Sequence, residues 1–343
     1  MSDPLVILGN SNSRFSGVTS TMLQTLPEVR ERVSLAVLGK HHLPDDVPVI
    51  TFRELLRLRE EPHVFHARRN DEMIQALIAR RLGANLKIVF TSTAQRYHSR
   101  FTRWLMKKMN GIISTCSAAA SYLEHEPDVI IPHGINLDRF QAPPNKKAAW
   151  NKLGFPGKYG IGIFGRVRPQ KGIDVLIDAA IPLLKDNPDP TIIIVGQTTP
   201  KFLNFENELK EKVASAGLSE RIIFHGSRPG KELPGLFQGM SLVTSLSRNE
   251  GFGLTVLEAM ACECAVLASH AGAWQDIITE GEHGYTVPCG DVEATREALE
   301  KLLADPEKLL DLGCAGRLHV EEHYTTEREA RQLCDYYQQV AES

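Results

Sequence analysis

Within the 343 residues, the side chains best spaced for chemistry lie in one stretch, LSRNEGFGLTVLEAMACECAV. Glu250 follows an apolar run, and Gly251 and Gly253 allow a ligand to approach the backbone closely. A helix is expected to start near Gly253 or Leu254, with Glu258 roughly 7 Å along it. The amides of Phe252, Gly253, Leu254 and Thr255 would then favour a phosphate. One carboxylate at the mouth and one beside the helix could grip hydroxyls on either side of it. That is the length and polarity of a sugar–diphosphate–ribose.

A second stretch, GRVRPQKG from Gly165 to Gly172, closes a strand with Arg166, Arg168 and Lys171 before another helix. A guanidinium can fork two oxygens while an ammonium adds a point charge, which suits a diphosphate. Taken alone, a solvated basic turn explains these residues equally well; the two glutamates downstream tip the balance. Gly17, in the polar loop NSNSRFSGVTS, could present amides to a phosphate or an acceptor hydroxyl, or be a plain turn glycine. No GxGxxG follows any strand, which weakens a nicotinamide or flavin reading. No DxD motif suggests a nucleotide-bridging metal. His319 and His323 stand four apart in HVEEH, two groups too few for zinc and better read as surface histidines. No metal or other cofactor is expected.

The elements that must position these residues are short apolar runs alternating with amphipathic stretches. PLVILGN, RVSLAVLG, VPVITF, HVFHA, LKIVFTS, GIISTC and DVIIPHG read as buried parallel strands. The pattern restarts with YGIGIFGR, TIIIVGQ, RIIFHG, LVTSLS, CAVLAS and GYTVP. Two successive βαβ series predict an α/β protein of two Rossmann-like, doubly wound domains facing a cleft. The predicted boundaries are 1–142 for the first domain and 159–324 for the second. Residues 143–158, rich in proline, lysine and polar groups, are expected to be the linker, and a terminal helix, 325–343, to return to the first domain. Net charge is −3, composed of +6 over residues 1–150 and −9 over the rest. The first half is therefore expected to meet something anionic, though not nucleic acid. Six scattered cysteines without a CxxC pair, and a start (MSDPLVILGN) unlike a secretory signal, point to a cytosolic protein with reduced thiols.

GRVRPQKG and EGFGLTVLEA together resemble the signature of retaining glycosyltransferases of the two-Rossmann-domain (GT-B) type, the glycogen-synthase-like and mannosyltransferase-containing family. Glu250 and Glu258 keep the spacing of that family's E-x7-E motif. The resemblance implies that Arg166 and Lys171 hold the donor diphosphate, with Gly165 beside them. It implies further that Glu250 contacts the donor sugar, Glu258 the ribose, and the amides of Phe252, Gly253 and Leu254 the phosphate and sugar. Arg228, after RIIFHG, would border the base, and Gly17 would face the phosphate or the reacting centre. It also implies metal-independent chemistry.

HARRNDEM (66–73) and FTSTAQRYHS (90–99) are similar to lipopolysaccharide-core mannosyltransferases of Gram-negative bacteria. Many members of the wider family carry a histidine just after the strand occupied here by KIVF; this chain has Thr91 and Ser92, with His98 later. Either His98 takes over that contact or it is lost. Arg68, Arg69, Arg96 and Arg100 are the cations expected near an acidic acceptor, the alternative being surface arginines paired with Asp71 and Glu72. SRFTRWLMKKM (99–109) mixes basic and aromatic residues without an acid, which fits weak docking on an anionic membrane. An ordinary helix burying Trp104 and Leu105 is the alternative.

The resulting expectation is a hexosyltransferase that moves mannose from GDP-mannose to a lipopolysaccharide-core or other glycolipid acceptor, peripheral on the cytoplasmic face of the inner membrane. The rivals are a UDP-sugar donor (glucose, galactose or N-acetylglucosamine) or small soluble acceptor, a nucleotide-sugar epimerase or hydrolase, and a catalytically silent nucleotide-binding scaffold.

Overall fold

In the computed structural model, which describes residues 5–343, the chain forms two compact units. One runs to Gly134 and takes up Tyr324–Ser343; the other is Ile135–His323.

In the first unit the apolar runs become β1 (Val6–Gly9), β2 (Leu35–Leu38), β3 (Val49–Ile50), β4 (His63–Ala67), β5 (Leu86–Ser92), β6 (Gly111–Ser114) and β7 (Val129–Ile130). All pair in parallel, in the order β3-β2-β1-β4-β5-β6-β7. Successive side chains point to opposite faces of a strand, and both faces are covered. Val6, Leu8, Val64 and Val89 pack under the helices Gly17–Arg30 and Thr326–Glu342 through Leu26, Leu333 and Tyr337. Ile7, Phe65 and Ile88 face the other way, onto Met73, Ala76 and Leu105. The second unit repeats the plan with β8 (Tyr159–Phe164), β9 (Pro190–Val195), β10 (Ile222–Gly226), β11 (Met240–Ser245), β12 (Ala265–Ser269) and β13 (Gly284–Val287). Their order is β10-β9-β8-β11-β12-β13, again all parallel.

Strand order reverses at β1/β4 in the first sheet and at β8/β11 in the second. Loops leaving the carboxyl ends of strands at such a reversal diverge to opposite faces and leave a crevice. Both stretches singled out in the sequence, Gly165–Gly172 and Glu250–Ala259, leave the second reversal, after β8 and β11.

The segment 143–158 is not a linker. Lys146–Leu153 is a helix, capped by the Asn145 side chain accepting from the Ala148 amide at 2.8 Å and ended by Gly154 in the left-handed region. Trp150 is buried beneath β8 and donates its indole N–H to the Gly157 carbonyl at 3.1 Å. The passage between units instead lies at Gly134–Ile135, eight residues earlier than the boundary read at 142.

Candidate functional site

The turn after β8 is built to present cations. Pro169–Lys171 forms a single 3-10 turn, ended by Gly172 at φ +68°, where a Cβ would lie 2.0 Å from the Leu246 carbonyl oxygen. Only glycine fits there, and it draws the turn against the loop after β11. Stitching continues from the Arg248 amide to the Gln170 carbonyl (2.8 Å) and from Gln170 Nε2 to the Asn249 carbonyl (2.8 Å). Arg248 also forks Asp174 at 2.9 and 2.7 Å. Arg248 and Asp174 went unnoticed in the sequence, because their pairing joins loops 74 positions apart.

Within this frame Lys171 pairs with Glu250 in a short hydrogen-bonded contact, and Ser247 Oγ donates to the same carboxylate at 3.2 Å. The Lys171 and Glu250 side chains remain 19% and 21% exposed, so a ligand can reach both. Arg166 is exposed and has no ion pair among the described residues. Gly165 precedes it at φ +141°, under the Lys171 stem.

Gly253 sits at φ +88°, and a Cβ would come 2.4 Å from Trp274 Nε1, whose N–H donates to the Gly253 carbonyl at 2.9 Å. Buried Trp274 thus clamps the EGFG loop ahead of the helix Thr255–Ala261. First-turn amides of this helix have no acceptor within it, and Leu254 stands at its cap without a side-chain hydrogen bond. Sequence reading overlooked Trp274; the glycine–tryptophan contact spans 21 positions and leaves no local pattern.

Glu258 lies with Gly165, Arg166, Ser227 and Arg228 along an open pocket of about 320 Å³, walled by Phe164 stacked on Phe237 at 3.9 Å. That falls within the range of small-ligand sites. Desolvation pushes the Glu258 carboxyl up to about 7, only partly opposed by Arg139. Arg228 reaches the His225 ring at 3.2 Å, and burial, then Arg228, lowers the histidine's pKa. The second unit therefore assembles Gly165, Arg166, Lys171, Arg228, Glu250, Phe252, Gly253, Leu254 and Glu258 from loops after β8, β10 and β11. In chemical terms it offers cations for a diphosphate and carboxylates for hydroxyls.

The first unit divides its candidates. Gly17 opens the helix Gly17–Arg30, exposed, with no acid in the first turn and no side-chain cap. A Cβ there would meet nothing within 4 Å, so no local packing calls for glycine. Arg69 follows the ion-paired alternative. Its guanidinium pairs with fully buried Glu72 at 2.9 Å and donates to Ser16 Oγ (3.0 Å) and Thr19 Oγ1 (2.9 Å). Its fork is taken up in fixing the loop before Gly17 to the end of β4, so an acceptor role does not follow. Arg68 differs: its guanidinium has no ion pair, and its Nη1 is buried without a hydrogen bond. His98 is half-buried, with Nε2 2.9 Å from Ser92 Oγ, and burial lowers its pKa. Arg96 and Arg100 are exposed.

Two other expectations shift. His319 is not a simple surface residue: it stacks on His283 at 4.2 Å, and burial presses its pKa down to about 4. Of the two apolar residues assigned to a core in the ordinary-helix alternative, only Leu105 is buried; Trp104 is 54% exposed.

This geometry agrees with the sequence comparisons. Residues 145–319 match the family described as glycosyl transferases group 1. The chain belongs to that family and is a glycosyltransferase of two parallel-sheet α/β domains. It is 40% identical, over 98% of its length and 96% of the relative's, to the lipopolysaccharide core biosynthesis mannosyltransferase LpcC of Rhizobium leguminosarum bv. viciae. Identity is 39%, over 98% of both chains, to the mannosyltransferase LpsB of Rhizobium meliloti. Among solved structures, Anabaena Alr3699/HepE in complex with UDP and glucose superposes with a TM-score of 0.79 over 97% of this chain and 99% of that one, at 18% identity.

Proposed function

We propose that this glycosyltransferase moves mannose from GDP-mannose, with retention at the anomeric carbon, to a sugar of the lipopolysaccharide core. The observation that carries the reading is the pocket after β8, β10 and β11, which unpaired Arg166 and half-buried Glu258 line, with the stem of Lys171, the partner of Glu250, against its Gly165 wall. Two relatives near 40% identity over nearly the whole chain, both lipopolysaccharide core mannosyltransferases, support the choice of sugar and acceptor.

Arg166 takes the diphosphate with its open fork, and Lys171 gives up part of Glu250 to a phosphate oxygen. Glu250, so released, accepts from a sugar hydroxyl, while Glu258 accepts from the ribose. Charge developing on the departing diphosphate meets cations already in place, the arrangement that lowers a barrier without reorganisation. These cations also supply the neutralisation for which other transferases use a divalent metal. Departure on the face that the acceptor attacks accounts for retention without a covalent intermediate. Arg68, left without an ion pair, is the cation that would receive an acidic group of the acceptor. With a glycolipid acceptor, the reading puts the reaction at the cytoplasmic face of the inner membrane.

The test supplies GDP-mannose, UDP-glucose, UDP-galactose and UDP-N-acetylglucosamine separately, in chelator, with a purified core acceptor. Transfer from GDP-mannose alone, giving the α-anomer by NMR, is the expected result. Transfer from a UDP sugar instead would overturn the donor assignment. Free or epimerised sugar without transfer would overturn the acceptor reading, and loss of activity in chelator the metal independence.

A further inference from the structure

Away from the pocket, the helix Arg100–Met106 carries an apolar surface that its own unit does not cover. Phe101 and Trp104 are 52% and 54% exposed, and they stack on each other at 6.1 Å with an interplanar angle of 17°. Lys108 lies over the Trp104 ring at 4.7 Å. Leaving two aromatics in water forgoes a large hydrophobic gain, and stacking them recovers only part. Thr102 and Leu105, next to the stack round the helix, are buried and fix the helix so that the stack faces outward. The neighbouring helix Asn70–Arg81 is tied alongside. Asn70 Nδ2 donates to Thr102 Oγ1 at 2.9 Å, and Arg80 to Asn110 Oδ1 and the Lys108 carbonyl at 3.0 Å each. It brings two further exposed apolar residues, Ile78 and Leu82, at its end.

Charge around this patch is one-sided. Arg103 and Lys107 share the single carboxylate of Glu124, at 2.5 and 3.2 Å, and so keep a net positive charge between them. Arg80 is hydrogen-bonded only to neutral groups, and Arg81, Arg100 and Lys108 have no ion pair among the described residues. Aromatic residues able to sit at headgroup depth, ringed by cations without matching acids, are complementary to an anionic bilayer surface. A protein partner with an acidic groove would also meet the charge, but the hollow beside the patch is small, about 80 Å³, and carries Glu124 and Glu126 of its own beside Arg103 and Lys107, so it does not suit an acidic segment. Among the described residues no helix is long and apolar enough to cross a membrane, so this contact would be superficial.

We infer that the Phe101–Trp104 face, with Lys108, Arg80 and Arg81, docks the first unit on an anionic lipid leaflet. The inference deepens the reading of a glycolipid acceptor, yet its test needs no donor or acceptor and so fails independently of that reading. The chain contains three tryptophans; Trp150 and Trp274 are each 1% exposed, so Trp104 is the one in water. Purified full-length protein is mixed with vesicles of phosphatidylcholine containing phosphatidylglycerol, and with vesicles of phosphatidylcholine alone. Binding to the anionic vesicles only, a blue shift of Trp emission, and release by salt are expected.

Phe101→Ser with Trp104→Ser should abolish co-sedimentation. Arg81→Glu with Lys108→Glu should weaken it by about five-fold or more for each charge removed. Each variant's thermal transition is measured to show that it folds, and Trp104→Phe is the control that keeps binding while losing the spectral shift. Absence of wild-type vesicle binding would overturn the inference, as would binding without a Trp shift. Binding unaltered in the serine variant, or a concentration-dependent dimer lost in that variant without any vesicle binding, would overturn it equally.

Discussion

The two strand-order reversals carry a cation–carboxylate pair each, and the pairs are built oppositely. After β4, Arg69 and Glu72 lie three residues apart; the carboxylate is fully buried and also accepts from the amides of Arg68 (2.7 Å) and Arg69 (3.1 Å). After β8 and β11, Lys171 and Glu250 come together across 79 positions, both partly open to solvent, with Arg166 beside them unpaired. Desolvation raises the Glu72 pKa in spite of these partners, so that pair persists only while its hydrogen bonds are complete. The same charge chemistry thus serves as an anchor where it is sealed, and as a ligand site where it is left incomplete.

The contrast can be broken by substitution. Arg69→Ala strands a buried carboxylate and should cost about 3–5 kcal/mol of unfolding free energy, read by urea denaturation with a first-unit probe. A stability close to that of the wild type would mean that Arg69 is dispensable to the fold and free for a substrate. Arg166→Ala and Lys171→Ala should leave the denaturation midpoint nearly unchanged while lowering turnover by about 10²-fold, the scale for one preorganised charge. Near-normal turnover in both folded variants would remove the diphosphate assignment.

Smaller effects sharpen the comparison within the pocket. Glu258→Gln should weaken binding of the free nucleoside diphosphate by roughly 1–3 kcal/mol, the worth of a charged hydrogen bond. Glu250→Gln should spare that binding and impair transfer, as measured by calorimetry alongside a transfer assay. Equal losses of nucleotide affinity would erase the distinction between the two glutamates. A separate effect, on stability, concerns pH. Because burial raises the Glu258 carboxyl to about 7, the folded state holds a proton that the unfolded chain releases at ordinary carboxylate pH. Its contribution is complete below that ordinary value and is lost as pH rises towards about 7. The ligand-free protein should therefore lose stability over this window, and Glu258→Gln should flatten the slope of midpoint against pH.

The thirteen strands of the described residues were legible, since each is a short apolar run bounded by glycine or polar residues, and the inner parallel strands, covered on both faces, need that pattern. The glutamates and the basic turn were legible for the same local reason. The helix Lys146–Leu153 was not: Pro143, Pro144 and four lysines (146, 147, 152, 158) read as linker, although Asn145 and Gly154 mark its two ends. Nothing in the sequence announced Trp274 against Gly253 or Arg248 against Asp174, because those contacts join loops leaving different strands. Arg69 shows the middle case. Its partner Glu72 was foreseeable three residues away, but Ser16 and Thr19, which complete its hydrogen bonds, come from the cap and first turn of the helix after β1.

The first unit takes its closing helix from the stretch of chain that follows the second. Tyr337, fully buried on Thr326–Glu342, sets its hydroxyl 2.5 Å from His66 on β4, and Leu333 and Val340 fill the same face. During synthesis, residues 5–134 therefore leave the ribosome with one face of their sheet covered by Gly17–Arg30 alone, while the contiguous Ile135–His323 can close its own core at once. The unit translated first is completed last, its core waiting on a helix that is made only after the whole of the second unit.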